Sequence, residues 1–269
     1  MGNCATKNYK IQMIWNYCDL QDWINDGCLL KYNHVKQLNL IDSNITNIPE
    51  QIKYLTNLIE LNCNNTQITY IPKEIRYLTN LKKLIIHNNK ITELPQEIVF
   101  LTKLQVLNCY GNYLTTIPLE IQYLINLIEL NITGNQIYDI PQEIGKLNQL
   151  KYLYCAFNNL SRLPLEIKYL TNLIVLVCSN NNITELSLEL RYLINLTKLN
   201  CANNKITNIP VEITELSNLY EINCSKNNIN IIPAFHNTVI IASIPLDENK
   251  IIIDKTNVDN NIIHINLIN

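Results

Sequence analysis

Charge of either sign is scarce in this chain: 16% of its 269 residues are charged, and the formal net charge is -2. Without a basic excess or a block of like charges there is no electrostatic footprint for nucleic acid, so neither DNA nor RNA is expected as a partner. Glycine is scarcer still, and its five isolated residues leave no loop able to cradle phosphates. No apolar run reaches the ~18 residues that a membrane-spanning helix needs, and IQMIW at 11–15 is too broken to be a secretory core. A reducing, cytoplasmic compartment is expected, where thiols stay free. His34, His87, His236 and His264 stand singly, with no nucleophile paired to any of them, so no catalytic site, metal or cofactor is expected.

What the chain has in abundance is repetition. LNCNNTQITYIP at 61–72 returns as LNCANNKITNIP at 199–210. Leu58, Leu81, Leu104, Leu127, Leu150, Leu173, Leu196 and Leu219 are spaced by 23 residues, and Val35 extends the register one step back. Nine units therefore run from 35 to about 234. Apolar residues fall at unit positions 1, 4, 6, 11, 14, 18 and 21, with proline at 15. Alternation at positions 4 and 6 predicts a short strand with one buried face. The second half opens with proline and a glutamate two residues on, as in Pro118 and Glu120, then spaces Ile121 and Leu124 three apart. That pattern predicts a short helical segment with proline in its first turn and a carboxylate near its positive end. No unit can bury its own apolar edge, so the units are expected to stack into an α/β solenoid with a curved parallel sheet on the concave side.

The unit at 104–126, LQVLNCYGNYLTTIPLEIQYLIN, has the pattern L-x-x-L-x-L-x-x-N-x-L followed by P-x-x-I. In this it resembles the leucine-rich repeat family, in its 23-residue L-P-x-x-I subclass. The resemblance implies a right-handed superhelix with short helical segments on the convex face. It also implies a role for the position 9 asparagines, Asn89, Asn112, Asn135, Asn158, Asn181, Asn204 and Asn227: a ladder bonding the backbone of adjacent coils. Ser43 and Thr66 replace the asparagine in the first two units, so a looser N-terminal end is expected. In another unit Ser187 replaces the proline and Leu190 the isoleucine. The Asn, Ile and Lys bias resembles members from giant DNA viruses or their amoebal hosts.

Six of the nine cysteines, Cys63, Cys109, Cys155, Cys178, Cys201 and Cys224, occupy position 6, where other units carry Leu40, Ile86 and Ile132. A slot that accepts Leu, Ile and Cys is a buried apolar slot. In-register strands about 4.8 Å apart are too far for the ~3.8 Å Cβ separation of a disulfide. A single column of thiols is not a zinc tetrahedron, and an inward thiol has no electropositive neighbour to activate it.

The ends differ from the repeats. MGNCAT at 1–6 matches the N-myristoylation signal, with Gly2 as acceptor and Cys4 beside it as a palmitoylation site, which together would anchor the chain peripherally on the cytoplasmic side of a membrane. Within 1–34, residues 11–34 have the spacing of an amphipathic helix ending near Gly27 that covers the first coil, through Ile11, Ile14, Trp15, Cys18, Trp23 and Ile24. From 235 to 269 the register dissolves, and VIIASI (239–244) and IIID (251–254) are expected to be irregular strands closing the other end.

A function is expected on the concave face, where positions 3, 5, 7, 8 and 10 vary. Asparagine dominates position 5, yet the middle units place Tyr110 and Tyr113, Tyr152, Tyr154 and Phe157, and Val175 and Val177 at outward positions. Exposed aromatic clusters act as interaction anchors. The resemblance implies a non-enzymatic scaffold holding a protein partner there. The alternative it allows is a substrate-recognition or ligand-sensing module of a ubiquitin-ligase-type or signalling assembly, by analogy of fold.

Overall fold

The computed structural model describes residues 14–27, 34–41, 44–235, 239–244, 252–253 and 263–267. Gly2, Cys4, Ile11 and Ser43 lie outside them.

Each repeat turns its alternation into one three-residue strand. These are β2 (Gln37–Asn39), β3 (Glu60–Asn62), β4 (Lys83–Ile85), β5 (Val106–Asn108), β6 (Glu129–Asn131), β7 (Tyr152–Tyr154), β8 (Val175–Val177), β9 (Lys198–Asn200) and β10 (Glu221–Asn223). All pair in parallel, and each residue faces the one 23 positions on, from Gln37 opposite Glu60 to Lys198 opposite Glu221. The middle residue of every strand points inward and is buried. The position 1 leucines and position 6 residues join it, so one apolar core runs the length of the solenoid.

The return segments are five-residue 3-10 helices, among them Leu119–Tyr123, Gln142–Lys146 and Leu165–Tyr169. The prolines stand just before these helices rather than in their first turn: Pro118 has φ -66° and ψ 149°, and its carbonyl accepts from Ile121 N at 3.1 Å. The ring fixes φ for an extended entry while ψ stays outside the helical range. Ser187 reaches the same geometry by a different route, its hydroxyl accepting from Glu189 N at 3.1 Å. On the outer face, Tyr77 and Tyr192 lie under the guanidinium groups of Arg76 and Arg191, each 4.9 Å from the ring centre.

Two asparagine ladders stitch the coils. Asn112 Nδ2 donates to Ile86 O in the preceding coil (2.9 Å) and to Cys109 O (3.0 Å), while its Oδ1 accepts from Ile91 N (3.0 Å). The same pattern repeats at Asn135, Asn158, Asn181 and Asn204. Thr66 has a single hydroxyl hydrogen, within reach of Cys63 O in its own coil and Asn89 Oδ1 in the next, so it can donate to only one of them at a time where the amide donates to two. The second ladder, at position 23, was not anticipated: Asn80, Asn126, Asn172, Asn195 and Asn218 donate to Thr56, Thr102, Asn148, Thr171 and Ile194 carbonyls.

Both ends depart from expectation. The N-terminal segment is not one helix: β1 (Ile14–Trp15) pairs with β2, Ile14 facing Gln37, before α1 (Tyr17–Asn25) begins. Ile14 stands 23 residues before Gln37, so the repeat register reaches one strand further back than the leucine pattern shows. Asn16 and Asp19 form a reciprocal cap that starts the helix at Tyr17. Leu20 and Trp23 then bury against the first coil, with Trp23 edge-on to Tyr54 at 6.4 Å, whereas Cys18 is exposed. At the other end the strands are regular. β12 (Val239–Ile244) continues the sheet beside β10, and β14 (Ile263–Leu267) beside β12; Ile240 faces Ile263, again 23 positions on. The step from Glu221 to Val239 is shorter, which moves the strand out of leucine register and hides it in the sequence. β11 (Ile231–Ile232) pairs separately with β13 (Ile252–Ile253).

Candidate binding surface

The outward rows of the strands carry the charge and the aromatics. Along position 3, Lys83 pairs with Glu60 at 3.7 Å and Lys198 with Glu221 at 2.8 Å. Between these pairs lie Val106, Glu129, Tyr152 and Val175. Glu129 faces Val106 on one side and Tyr152 on the other, and among the described residues no cation pairs with it.

Position 5 normally ends the strand. Asn39, Asn62, Asn108, Asn131, Asn200 and Asn223 each accept from the backbone N–H two residues on, as in Asn108 Oδ1 from Tyr110 N at 3.1 Å. Tyr154 and Val177 occupy this position in the middle coils and cannot make that bond. The rings of Tyr152 and Tyr154 stand parallel, with centroids 6.5 Å apart and planes within 2°. Both are half-buried, as are Val175 and Val177 beside them. Burial raises the phenol pKa of Tyr154, and the neighbouring Glu129 carboxylate and Tyr152 add to the shift.

Position 8 is left-handed throughout the central coils: Asn65, Asn88, Gly111, Gly134, Asn180 and Asn203 have φ between 52° and 66°. Asparagine and glycine tolerate this region. Phe157 holds the same conformation at φ 52° with its side chain 60% exposed, so a bulky residue sits where the backbone disfavours it.

Tyr110, Tyr113 and Phe157 lie on the turn side of the face and are exposed, while Tyr152, Tyr154, Val175 and Val177 lie on the strands. The site residues thus form two groups rather than one sheet of aromatics. A Cβ on Gly134 would stand 3.4 Å from the Tyr110 ring, in ordinary contact, so the ring lies over the next coil whether or not that position is glycine.

A polar cluster escaped the sequence reading. Asn64 Nδ2 lies 2.9 Å from His87 Nε2, and the His87 ring sits 6.3 Å from Tyr110. Asn64 Oδ1 and His87 Nδ1 are buried without a protein partner, and burial lowers the imidazole pKa. The two residues are 23 apart, a signal that the period offered.

The six position 6 cysteines are buried and unbridged. Burial pushes every one of these thiols up, Cys178 and Cys224 to about 12. Cys155 Sγ donates to Val177 O at 3.3 Å. Among the described residues no group of three or more His, Cys, Asp or Glu could hold a metal ion, and no helix is long and apolar enough to cross a membrane. A recess of about 940 Å³ lies away from the concave strands, its lining residues including Arg162, Glu166, Glu185 and Glu189 together with Leu163, Leu165 and Leu186.

Comparison with known proteins agrees with this architecture. The family description "Leucine Rich repeats (2 copies)" matches residues 79–121 and 171–211, and "Leucine Rich Repeat" matches 126–147. A leucine-rich repeat protein of Leptospira interrogans is 30% identical over 86% of this chain and 70% of its own, with a TM-score of 0.54. The chain belongs to the leucine-rich repeat family. The ectodomain of a receptor kinase of Arabidopsis thaliana, solved in complex with Casparian strip integrity factor 2, is 28% identical over 81% of this chain and 29% of its own, TM-score 0.67. The functional domain of InlJ from Listeria monocytogenes, which includes a cysteine ladder, is 29% identical over 77% of this chain and 50% of its own, TM-score 0.56. The chain thus spans half or less of these last two proteins. No curated protein matches it.

Proposed function

We propose that the protein is a non-enzymatic binding module that holds a protein partner on its concave face through Tyr152, Tyr154, Val175 and Val177, with Tyr110, Tyr113 and Phe157 at the rim. One observation carries the reading: the middle coils give up what the repeat itself prefers. Tyr154 stands where six other strands have a bonded asparagine, and Phe157 stands at a left-handed position otherwise filled mostly by Asn or Gly. Local rules are broken together where function opposes stability. The ligand-bound plant receptor of the same family supports the choice of a protein or peptide partner. The constant 23-residue register favours the L-P-x-x-I subclass.

Membrane tethering belongs to the same reading. Gly2 and Cys4 in MGNCAT supply the two anchors that stable attachment requires, which would hold the module against the cytoplasmic face. Intact-mass measurement after expression in an acylating eukaryotic cell tests this, and an unmodified Gly2 removes it. For the face itself, proximity labelling with the wild type is compared with Tyr152→Ala/Tyr154→Ala. Partners lost in the variant are expected; an unchanged set refutes the patch.

A further inference from the structure

We propose that Tyr152, Tyr154 and Glu129 form a slot for an arginine side chain of the partner. This deepens the concave-face reading and rests on it. Two parallel rings with centroids 6.5 Å apart fall just short of the ~7 Å that a planar group needs to contact both faces at ~3.5 Å each, so the slot admits such a group once one ring turns slightly outward. Among the described residues neither tyrosine hydroxyl is hydrogen-bonded within the protein, so nothing ties the pair to another role.

Charge selects the kind of planar group. Three glutamates occupy position 3 of the sheet. Glu60 and Glu221 are neutralised across the strands by Lys83 and Lys198. Glu129, directly opposite Tyr152, has no such cation among the described residues, and Lys151 in the next coil makes no ion pair with it. The carboxylate therefore presents uncompensated negative charge beside two electron-rich ring faces. A cation is favoured on both counts. Burial and the Glu129 charge both disfavour ionisation of the Tyr154 phenol, in keeping with a site of negative potential.

Planarity separates arginine from lysine. A guanidinium can stack on aromatic faces and still present its edge N–H groups to a carboxylate, whereas an ammonium is a compact, strongly hydrated point charge. The opposite side of the slot also suits arginine. Tyr152 and Tyr154 face Val175 and Val177 in the following coil, and these offer an apolar floor for the methylene stem. The head would thus lie toward Glu129 and the stem toward the valines.

The test titrates the full chain, its tyrosines carrying carbon-13, with N-acetyl-arginine amide, N-acetyl-lysine amide and N-acetyl-citrulline amide. The citrulline compound keeps the planar head and loses the charge. The arginine compound is expected to shift the Tyr152 and Tyr154 ring signals saturably, with lysine and citrulline weaker by roughly tenfold. Glu129→Gln, nearly isosteric, should weaken arginine binding by a similar factor while leaving thermal unfolding unchanged. Equal responses to the three compounds, or arginine binding unaffected by Glu129→Gln, overturn the slot. If partner capture still depends on Tyr152 and Tyr154 while arginine preference is absent, the slot falls and the broader reading stands. Arginine-selective shifts with unchanged partner capture would overturn both, since the partner would then not use the slot.

Discussion

Gly145 sits so close to the next coil that a Cβ built on it would stand 2.8 Å from the carbonyl oxygen of Glu166 and 3.1 Å from the Tyr169 ring. The obstacle is backbone, which cannot rotate aside. Gly145→Ala is therefore expected to lower stability by about 1–3 kcal/mol, the usual range for overpacking. Urea unfolding followed by circular dichroism measures it; an unchanged midpoint would show that the coils can separate there freely.

The two kinds of asparagine should differ in value. Asn112 serves three backbone groups in two coils and is buried, so Asn112→Ala leaves several orphaned groups and should cost about 3 kcal/mol. Asn108 makes one local bond to Tyr110 N, and Asn108→Ala should cost under about 1 kcal/mol. Similar losses in the two variants would contradict the ladder's role.

The buried thiols predict chemical silence and alkaline sensitivity. Iodoacetamide at neutral pH should label Cys18 and spare the six position 6 cysteines until urea is added. Unfolded thiols titrate near ~8.5, while burial holds the folded ones higher, at about 12 for Cys178 and Cys224. The unfolded chain thus loses protons first as pH rises. Stability is complete below that unfolded value and declines between it and about 12, by up to ~1.4 kcal/mol per pH unit for each thiol. The slope is compared with that of Cys201→Ala/Cys224→Ala, which should decline less steeply.

Phe157 predicts a trade between stability and binding. Phe157→Asn restores the residue found at the equivalent left-handed positions Asn65, Asn88, Asn180 and Asn203. It should raise stability by about 1 kcal/mol, since the left-handed region costs most residues ~1–2 kcal/mol, and weaken partner capture. A variant that is both more stable and fully competent would take Phe157 out of the binding surface.

Much of the site was readable from spacing, because a fixed period converts sequence position into direction. Tyr152, Tyr154, Val175 and Val177 were placed outward by counting alone. What counting missed were relations across coils. The Asn64–His87 contact joins residues one period apart and needed a comparison of neighbouring units rather than a search for nearby partners. The uncompensated Glu129 is likewise a relation between neighbouring strands, since its charge is left over against Val106 on one side and Tyr152 on the other. The strand at Ile14–Trp15 was hidden inside an apolar spacing that also suits a helix, and the Asn16–Asp19 cap decided where the helix begins.

The sequence by itself determined the period, the inward columns of leucine and cysteine, and the asparagines of the first ladder, because backbone geometry repeats whenever the residues that set it repeat. Tertiary structure alone decided the rest. It set how far the sheet runs beyond the leucine register, since strand pairing tolerates the short step before Val239. It also decided which charges cancel, since that depends on side chains from different coils meeting in space, and how closely the two tyrosine rings of one strand stand, since that depends on their rotamers.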